Sequence, residues 1–272
     1  MKNAMAKRLI LLPLLVAALA SCTPVPITGR RQLNLISSAE MDAMSATAYG
    51  DFLKKQKLSA NAAQTETVKR AGVKIQKAVE AYFAGKGKSA VLAGYKWQFN
   101  LVESDEVNAW CMPGGRVVVY TGILPVANSE TGLAVVMGHE IAHAVANHGN
   151  ERMSQGMLVE YGMSAIDEAM AQQTEQVREL FLSAAGLGAK VGVLLPYSRL
   201  HESEADRLGL IFMAMAGYDP REAPRFWQRM AALKKGAAGP EFLSTHPSDE
   251  TRIEDLRRLV AEEAMQYYKP PK

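Results

Sequence analysis

The sequence predicts an α+β fold, mainly helical, with a small β-sheet. Apolar residues recur at helical spacing over Glu40 to Ala84, and again from Asn128 almost to the C-terminal end. Between them, Tyr95 to Val102 alternates apolar and polar residues as a strand does. Glu106 to Met112 and Arg116 to Thr121 then flank Pro113-Gly114-Gly115, the pattern of a hairpin. Of 272 residues, 48% are hydrophobic and 22% charged, which suits a globular protein and excludes a collagen, a disordered tail or a disulfide-rich miniprotein.

Lys2, Lys7 and Arg8 form a positive leader, and Leu9 to Leu19 is apolar apart from Pro13. That run is shorter than the roughly 20 residues that span a bilayer, so residues 1–21 are expected to be a secretory signal peptide. Its end, Leu19-Ala20-Ser21-Cys22, resembles the lipobox of bacterial lipoproteins. The resemblance implies cleavage before Cys22 and acylation of that residue, a membrane anchor in which each buried CH₂ contributes about 0.8 kcal/mol. Thr23 stands where an inner-membrane retention signal would carry Asp, which points to the periplasmic face of an outer membrane. The three leader bases account for the whole formal charge of +3, so charge gives no argument for nucleic acid. With Cys22 acylated, Cys111 has no partner for a disulfide and is expected to be a small buried hydrophobe.

Residues 22–38 hold prolines, Gly29 and Arg30-Arg31 but few large apolar side chains, and read as a tether. Residues 39–272 read as one catalytic domain. Its first part is expected to be two amphipathic helices broken near Leu58–Asn61. A helix beginning at Asn128 or Ser129 and stopping at Gly149 follows the hairpin. Met153 to Leu195 is apolar but interrupted by charges, so it is read as a helical pair packed over something else and not as a membrane hairpin.

The chemistry is concentrated in His139-Glu140-Ile141-Ala142-His143. At about 100° per residue the two imidazoles lie about 40° apart on one face, where together they can hold one Zn²⁺. Glu140 sits beside them as a general base toward the attacking water. His148, about 180° around from His139 on the same helix, is expected to be structural or solvent-facing. A zinc hydrolase needs a third protein ligand. In the stretch Tyr197 to Asp206, Glu202 and Asp206 share a helix face. Glu202 can ligate while Asp206 accepts a hydrogen bond from a ligand imidazole. His201 is a rival ligand that spacing alone leaves open.

His139-Glu140-x-x-His143 with Ser198-Arg199-x-x-Glu202-x-x-Ala205-Asp206 resembles the paired motifs of the M48 metallopeptidases. Val107-Asn108-Ala109 before Pro113-Gly114-Gly115, and Thr245-His246-Pro247 with Arg252, fit the same family. The resemblance runs from about Asn34 to Leu259 and is nearest to soluble, lipid-anchored bacterial members. It implies a zincin-like fold, one Zn²⁺, and metalloendopeptidase activity on polypeptides, here unfolded or misassembled envelope proteins. It further implies that Asn108 and Ala109 lie on an edge strand that pairs with substrate. His246 and Arg252 are implied to sit by the zinc, as donors that stabilise an oxyanion. His246 can instead fill the fourth zinc position and keep the enzyme latent. A second class of function, a chaperone or assembly factor working with outer-membrane assembly machinery, stays open beside proteolysis.

Overall fold

The structure is a computed structural model. It describes residues 22–25, 28–169, 195–233, 241–247 and 249–270, with positions 171, 175, 179, 182, 183, 185 and 186. The expected signal peptide, residues 1–21, lies outside the described residues, as do Ser248 and most of 170–194. The chain divides into two compact units. One joins the described residues up to Met41 with those of Asn147–Leu200, and the other joins Asp42–Ala146 with His201 onwards.

The second unit is built around a three-stranded sheet of β3 (Gln98–Val102), β4 (Ala109–Met112) and β5 (Arg116–Tyr120). Strand order is β3-β5-β4, with β5 parallel to β3 and antiparallel to β4. Gly114 and Gly115 take φ of 83° and 81° in the β4–β5 turn, a left-handed conformation that a side chain would strain. The β4–β5 hairpin matches the sequence expectation. The parallel neighbour β3 comes from farther up the chain, where no local signal specifies pairing.

Strand alternation sorts the sheet's two faces. Asn100 and Val102 face α1 (Ser38–Lys55), where Tyr49 accepts a hydrogen bond from Asn100 Nδ2 at 2.8 Å. Tyr49, Val102, Val118 and Tyr120 form a buried cluster there, with Phe52 and Trp110 packed on it. Phe99 faces the other way and closes on α2 (Ala62–Gly85) at Gly72, where any Cβ would overlap the Phe99 ring. The break between α1 and α2 falls at the expected place, with Asn61 capping α2 through Gln64 N at 3.1 Å.

α4 (Glu130–Val145) packs on the same side as α2. It follows the single turn α3 (Leu124–Ala127) and is capped by Ser129, whose Oγ accepts from Gly132 N at 3.0 Å. The helix ends earlier than expected. Asn147 takes φ of 59° and breaks it, while Gly149 lies inside the next helix, α5 (His148–Ala169). Asn is one of the few non-glycine residues that enter the left-handed region readily, so it serves as the stop. His148 is therefore not on the helix assumed for it, and of the two expected placements, structural or solvent-facing, its burial fits the structural one. The remaining helices are α6 (Leu195–Met215), α7 (Glu222–Ala232), α8 (Glu241–Thr245) and α9 (Glu250–Glu262).

In the other unit, the stretch expected to be a plain tether carries local structure. β1 (Cys22–Pro24) pairs antiparallel with β2 (Arg31–Leu33), and Arg30 makes a two-pronged ion pair with Glu151 of α5 at 2.8 and 2.6 Å. The expected helical pair over 153–195 is described as a continuous helix only to Ala169. No helix among the described residues is long and apolar enough to cross a membrane.

Candidate metal centre

Every side chain of the candidate centre belongs to the second unit. α4 is buried along nearly its whole length, and it presents His139 and His143 from successive turns. α6 crosses it with almost no gap. A Cβ built on Gly209 would lie 2.9 Å from His139 N, and one on Gly138 would lie 3.0 Å from Gly209 O. Two facing glycines let the helix backbones touch, and this contact brings Glu202 and Asp206, on one face of α6, against His139. α8 and the turn after it supply His246, and α9 supplies Arg252.

Four donor groups converge. His139 Nε2 lies 3.1 Å from His143 Nε2 and 3.3 Å from Glu202 Oε2. His143 Nε2 is 3.2 Å from Glu202 Oε1. His246 Nδ1 lies 3.2 Å from His139 Nε2 and 3.0 Å from both Glu202 oxygens. All four side chains are buried, and their donor atoms lie within 4.8 Å of one another. Donors bound to zinc at about 2.0–2.1 Å in a tetrahedron stand roughly 3.3 Å apart, so the donor set and its spacing fit one Zn²⁺. His201 is buried too but stands outside this group, so among the described residues Glu202 is the donor that α6 contributes.

Behind the donors lies a charged layer. Asp206 receives Arg252 Nε at 2.8 Å and Nη2 at 2.7 Å. His139 Nδ1 comes within 3.0 Å of Asp206 Oδ1. Arg252 Nη1 donates to Pro247 O at 2.8 Å and lies 3.1 Å from Glu202 Oε2. The guanidinium rests on the ring of Trp227, with its Cζ 3.5 Å from the centroid, and the same ring meets His139 edge-on at 5.7 Å. Trp227 was not among the residues that motif spacing singled out. In sequence it is one aromatic on the amphipathic helix α7, indistinguishable from ordinary core.

The electrostatics follow from this burial. Desolvation works against His139's charge, but the Asp206 and Glu202 carboxylates outweigh it and hold the imidazole up to about 9. Burial likewise raises Asp206, and the Arg252 guanidinium more than offsets it, so the group stays below the ordinary carboxylate range. Glu202 is held well below that range by its three imidazole neighbours, against the cost of burial. Glu140 is raised because burial dominates, with only partial relief from His246 and His139. His246 Nε2 lies 3.5 Å from Glu140 Oε1. A carboxylate of raised basicity beside a metal donor set is the environment of a general base.

β4 is an outer strand of the sheet and packs against α4. Ala109 is its first residue and is buried. Asn108 turns its side chain onto Ala109 N at 2.9 Å, and its carbonyl accepts from Tyr120 N at 3.1 Å. Cys111 on the same strand is a free, partly buried cysteine whose thiol is pushed well up by burial, then by the nearby Glu140 charge. The sequence motifs thus meet at one place: the His pair, Glu140, Glu202, Asp206, His246 and Arg252. Asn108 and Ala109 lie on the strand beside it.

Residues 69–260 match the model of peptidase family M48. The chain belongs to that family. It is 32% identical over 240 residues to the mitochondrial metalloendopeptidase OMA1 of Schizosaccharomyces pombe, covering 88% of this chain and 66% of that one. Its identity to the human mitochondrial metalloendopeptidase OMA1 is also 32%, over 86% of this chain and 45% of that protein. With the beta-barrel assembly-enhancing protease of Escherichia coli it shares 30% identity over 59% of this chain and 34% of the relative. The chain therefore spans 66% of the first of these relatives and less than half of the other two. M48 peptidases are zinc metallopeptidases, and the buried His139–His143–Glu202–His246 group could hold one metal ion.

Proposed function

We propose that this chain is a zinc-dependent endopeptidase held to the outer membrane through Cys22 and facing the periplasm, where it cleaves unfolded or misassembled envelope proteins. The observation that carries the activity is the convergence of four buried donor groups beside the buried carboxylate of Glu140. When bound there, zinc supplies Lewis acidity, acidifying the attacking water and polarising the scissile carbonyl. His139, His143 and Glu202 would hold it. Glu140 accepts the proton from the water as it attacks, then delivers it to the leaving amine. Extended substrate runs along β4 at Asn108 and Ala109 and adds a strand to the edge that β4 forms among the described residues.

Arg252 takes a role different from the oxyanion donor implied by family resemblance. Its fork is committed to Asp206, the Pro247 carbonyl and Glu202, so it positions the carboxylates. His246 reaches the donor group with Nδ1, the arrangement of a fourth ligand that keeps the site latent. Replacing Glu140 with Gln should leave zinc content unchanged and lower casein cleavage by about 10²-fold or more. Retained cleavage would remove Glu140 from its role. His246→Ala should keep zinc and raise basal cleavage several-fold, whereas a fall would make His246 a participant in the reaction. Glu202→Ala should lose zinc and His201→Ala should keep it.

The anchor and its compartment are supported by the basic and apolar leader and by Leu19-Ala20-Ser21-Cys22. The mass of the processed N-terminal peptide tests them. The name of the Escherichia coli relative favours a second reading, assistance to outer-membrane assembly machinery with proteolysis held in reserve. Full rescue of outer-membrane assembly by Glu140→Gln would favour that role over cleavage.

A further inference from the structure

The two outer edges of the three-stranded sheet are closed in different ways. An unpaired edge is a template for any extended chain, so proteins guard it. Beyond β3, residues 57–59 run antiparallel to that strand. Leu58 lies opposite Val102, Ser59 N donates to Leu101 O at 2.9 Å, and Glu103 N donates to Lys57 O at 2.8 Å. Backbone closes that edge. β4 forms the other edge among the described residues.

Register fixes which backbone groups β4 turns outward. Ala109 stands opposite Val119, Trp110 opposite Val118 and Cys111 opposite Val117. Tyr120 N donates to Asn108 O at 3.1 Å, so position 108 is a hydrogen-bonded position of the ladder. Antiparallel pairs alternate, so Trp110 also bonds inward to β5, while the N–H and C=O of Ala109 and Cys111 point away from it. The first of these outward donors is already taken, because Ala109 N donates to Asn108 Oδ1 at 2.9 Å. The Asn108 side chain thus accepts the bond that a carbonyl of an added strand would accept. Its own backbone is tied to Tyr120, so the carboxamide can swing off Ala109 while the ladder stays intact.

We propose that the Asn108 carboxamide is a removable stopper on β4, displaced by a substrate carbonyl whenever an extended polypeptide adds to that edge. The inference rests on the endopeptidase reading above, and its test separates the two. Cleavage of fluorescein-labelled casein is measured with the processed, zinc-loaded chain. Asn108→Ala removes the acceptor and should lower KM about five-fold, the worth of one hydrogen bond, with kcat changed less than about two-fold. Asn108→Asp keeps the acceptor and strengthens it with charge, so KM should rise by at least about the same factor. Both variants should keep their zinc, because Asn108 stands outside the donor group. Exchange of the Ala109 amide, read by mass spectrometry, should be at least about five-fold faster in Asn108→Ala than in the parent without casein. With casein bound in the Glu140→Gln background, the two should be equally slow. A higher KM for Asn108→Ala would show that Asn108 grips the substrate, which overturns the inference, and an unchanged KM overturns it equally. If Asn108→Ala does not fold, a KM for Asn108→Asp at or below that of the parent overturns it. A zinc-loaded parent that does not cleave casein, and does not bind it in the Glu140→Gln background, removes the endopeptidase reading and this inference with it.

Discussion

Arg252 and Asp206 are both buried and charged, and each is tolerable only because the other is there. Asp206 carries two N–H donors from Arg252 and stands behind His139. Removing one member leaves a buried charge without compensation, a cost of about 3–5 kcal/mol. Arg252→Met should therefore lower the unfolding free energy by that amount in a denaturant titration, and adding Asp206→Asn should restore part of it. A single-variant loss below about 1 kcal/mol would show that the pair is solvated in solution. Trp227 bears on the same guanidinium from below. Trp227→Leu should weaken zinc binding about ten-fold, as loss of orienting partners does elsewhere, while Trp227→Phe keeps most of the affinity. The His pair and Glu140 were legible in sequence because they repeat within one turn of a helix. Glu202 and Asp206 were legible for the same reason on another helix. Trp227 was not, because its contact with Arg252 is made between α7 and α9, and nothing in its own neighbourhood records that.

At the scale of elements, the site depends on one helix crossing. Gly138 and Gly209 put the backbones of α4 and α6 in contact, and Glu202 lies two turns along α6 from that point. A methyl group at Gly209 would meet the His139 backbone, which cannot move aside as a flexible side-chain tip can. Gly209→Ala should push α6 off α4, raise the zinc dissociation constant at least ten-fold and lower the melting temperature by several degrees. Unchanged zinc affinity would mean the crossing does not set the position of Glu202. This contact is invisible in sequence, where each glycine reads as a weak spot in a helix. Helix pattern, by contrast, was read well: α1 and α2 and their break followed from periodicity, and the β4–β5 hairpin from its Pro-Gly-Gly turn. The failures have physical causes. Asn147 ends α4 because its backbone can turn left-handed, which composition does not announce. The β1–β2 hairpin is secured by Arg30 on Glu151, a pair far apart in sequence. The parallel β3–β5 pairing is likewise long-range and lacks a turn to mark it.

Across the second unit as a whole, the far end of the active-site helix is held by a charge cluster that gives its stability a particular pH dependence. Glu130 opens α4 and accepts from Arg70 at 2.5 Å, from Tyr218 Oη at 2.5 Å and from Lys74 at 3.2 Å. Arg70 and Lys74 lie on α2, and Tyr218 follows α6, so one carboxylate joins three parts of the unit. It also sits in the first turn of α4, where the helix dipole favours negative charge. Partial burial pushes Glu130 up, but these hydrogen bonds prevail and hold it at about 2, against an ordinary 4.5. A carboxylate depressed in the folded state contributes stability above its unfolded value and loses it as pH falls through the folded one. The contribution is thus complete above about pH 5 and vanishes between about pH 4.5 and 2. Its partners are partly exposed, so screening reduces it to about 1–2 kcal/mol at neutral pH. Glu130→Gln should cost that much at pH 7 and about a quarter as much at pH 2.5, so the two unfolding curves converge as the solution is acidified. Zinc content and cleavage per folded molecule should not change, because Glu130 lies more than two turns along α4 from His139. Two parallel stability curves, separated equally at pH 7 and pH 2.5, would refute the ionic origin and leave only packing to explain the loss.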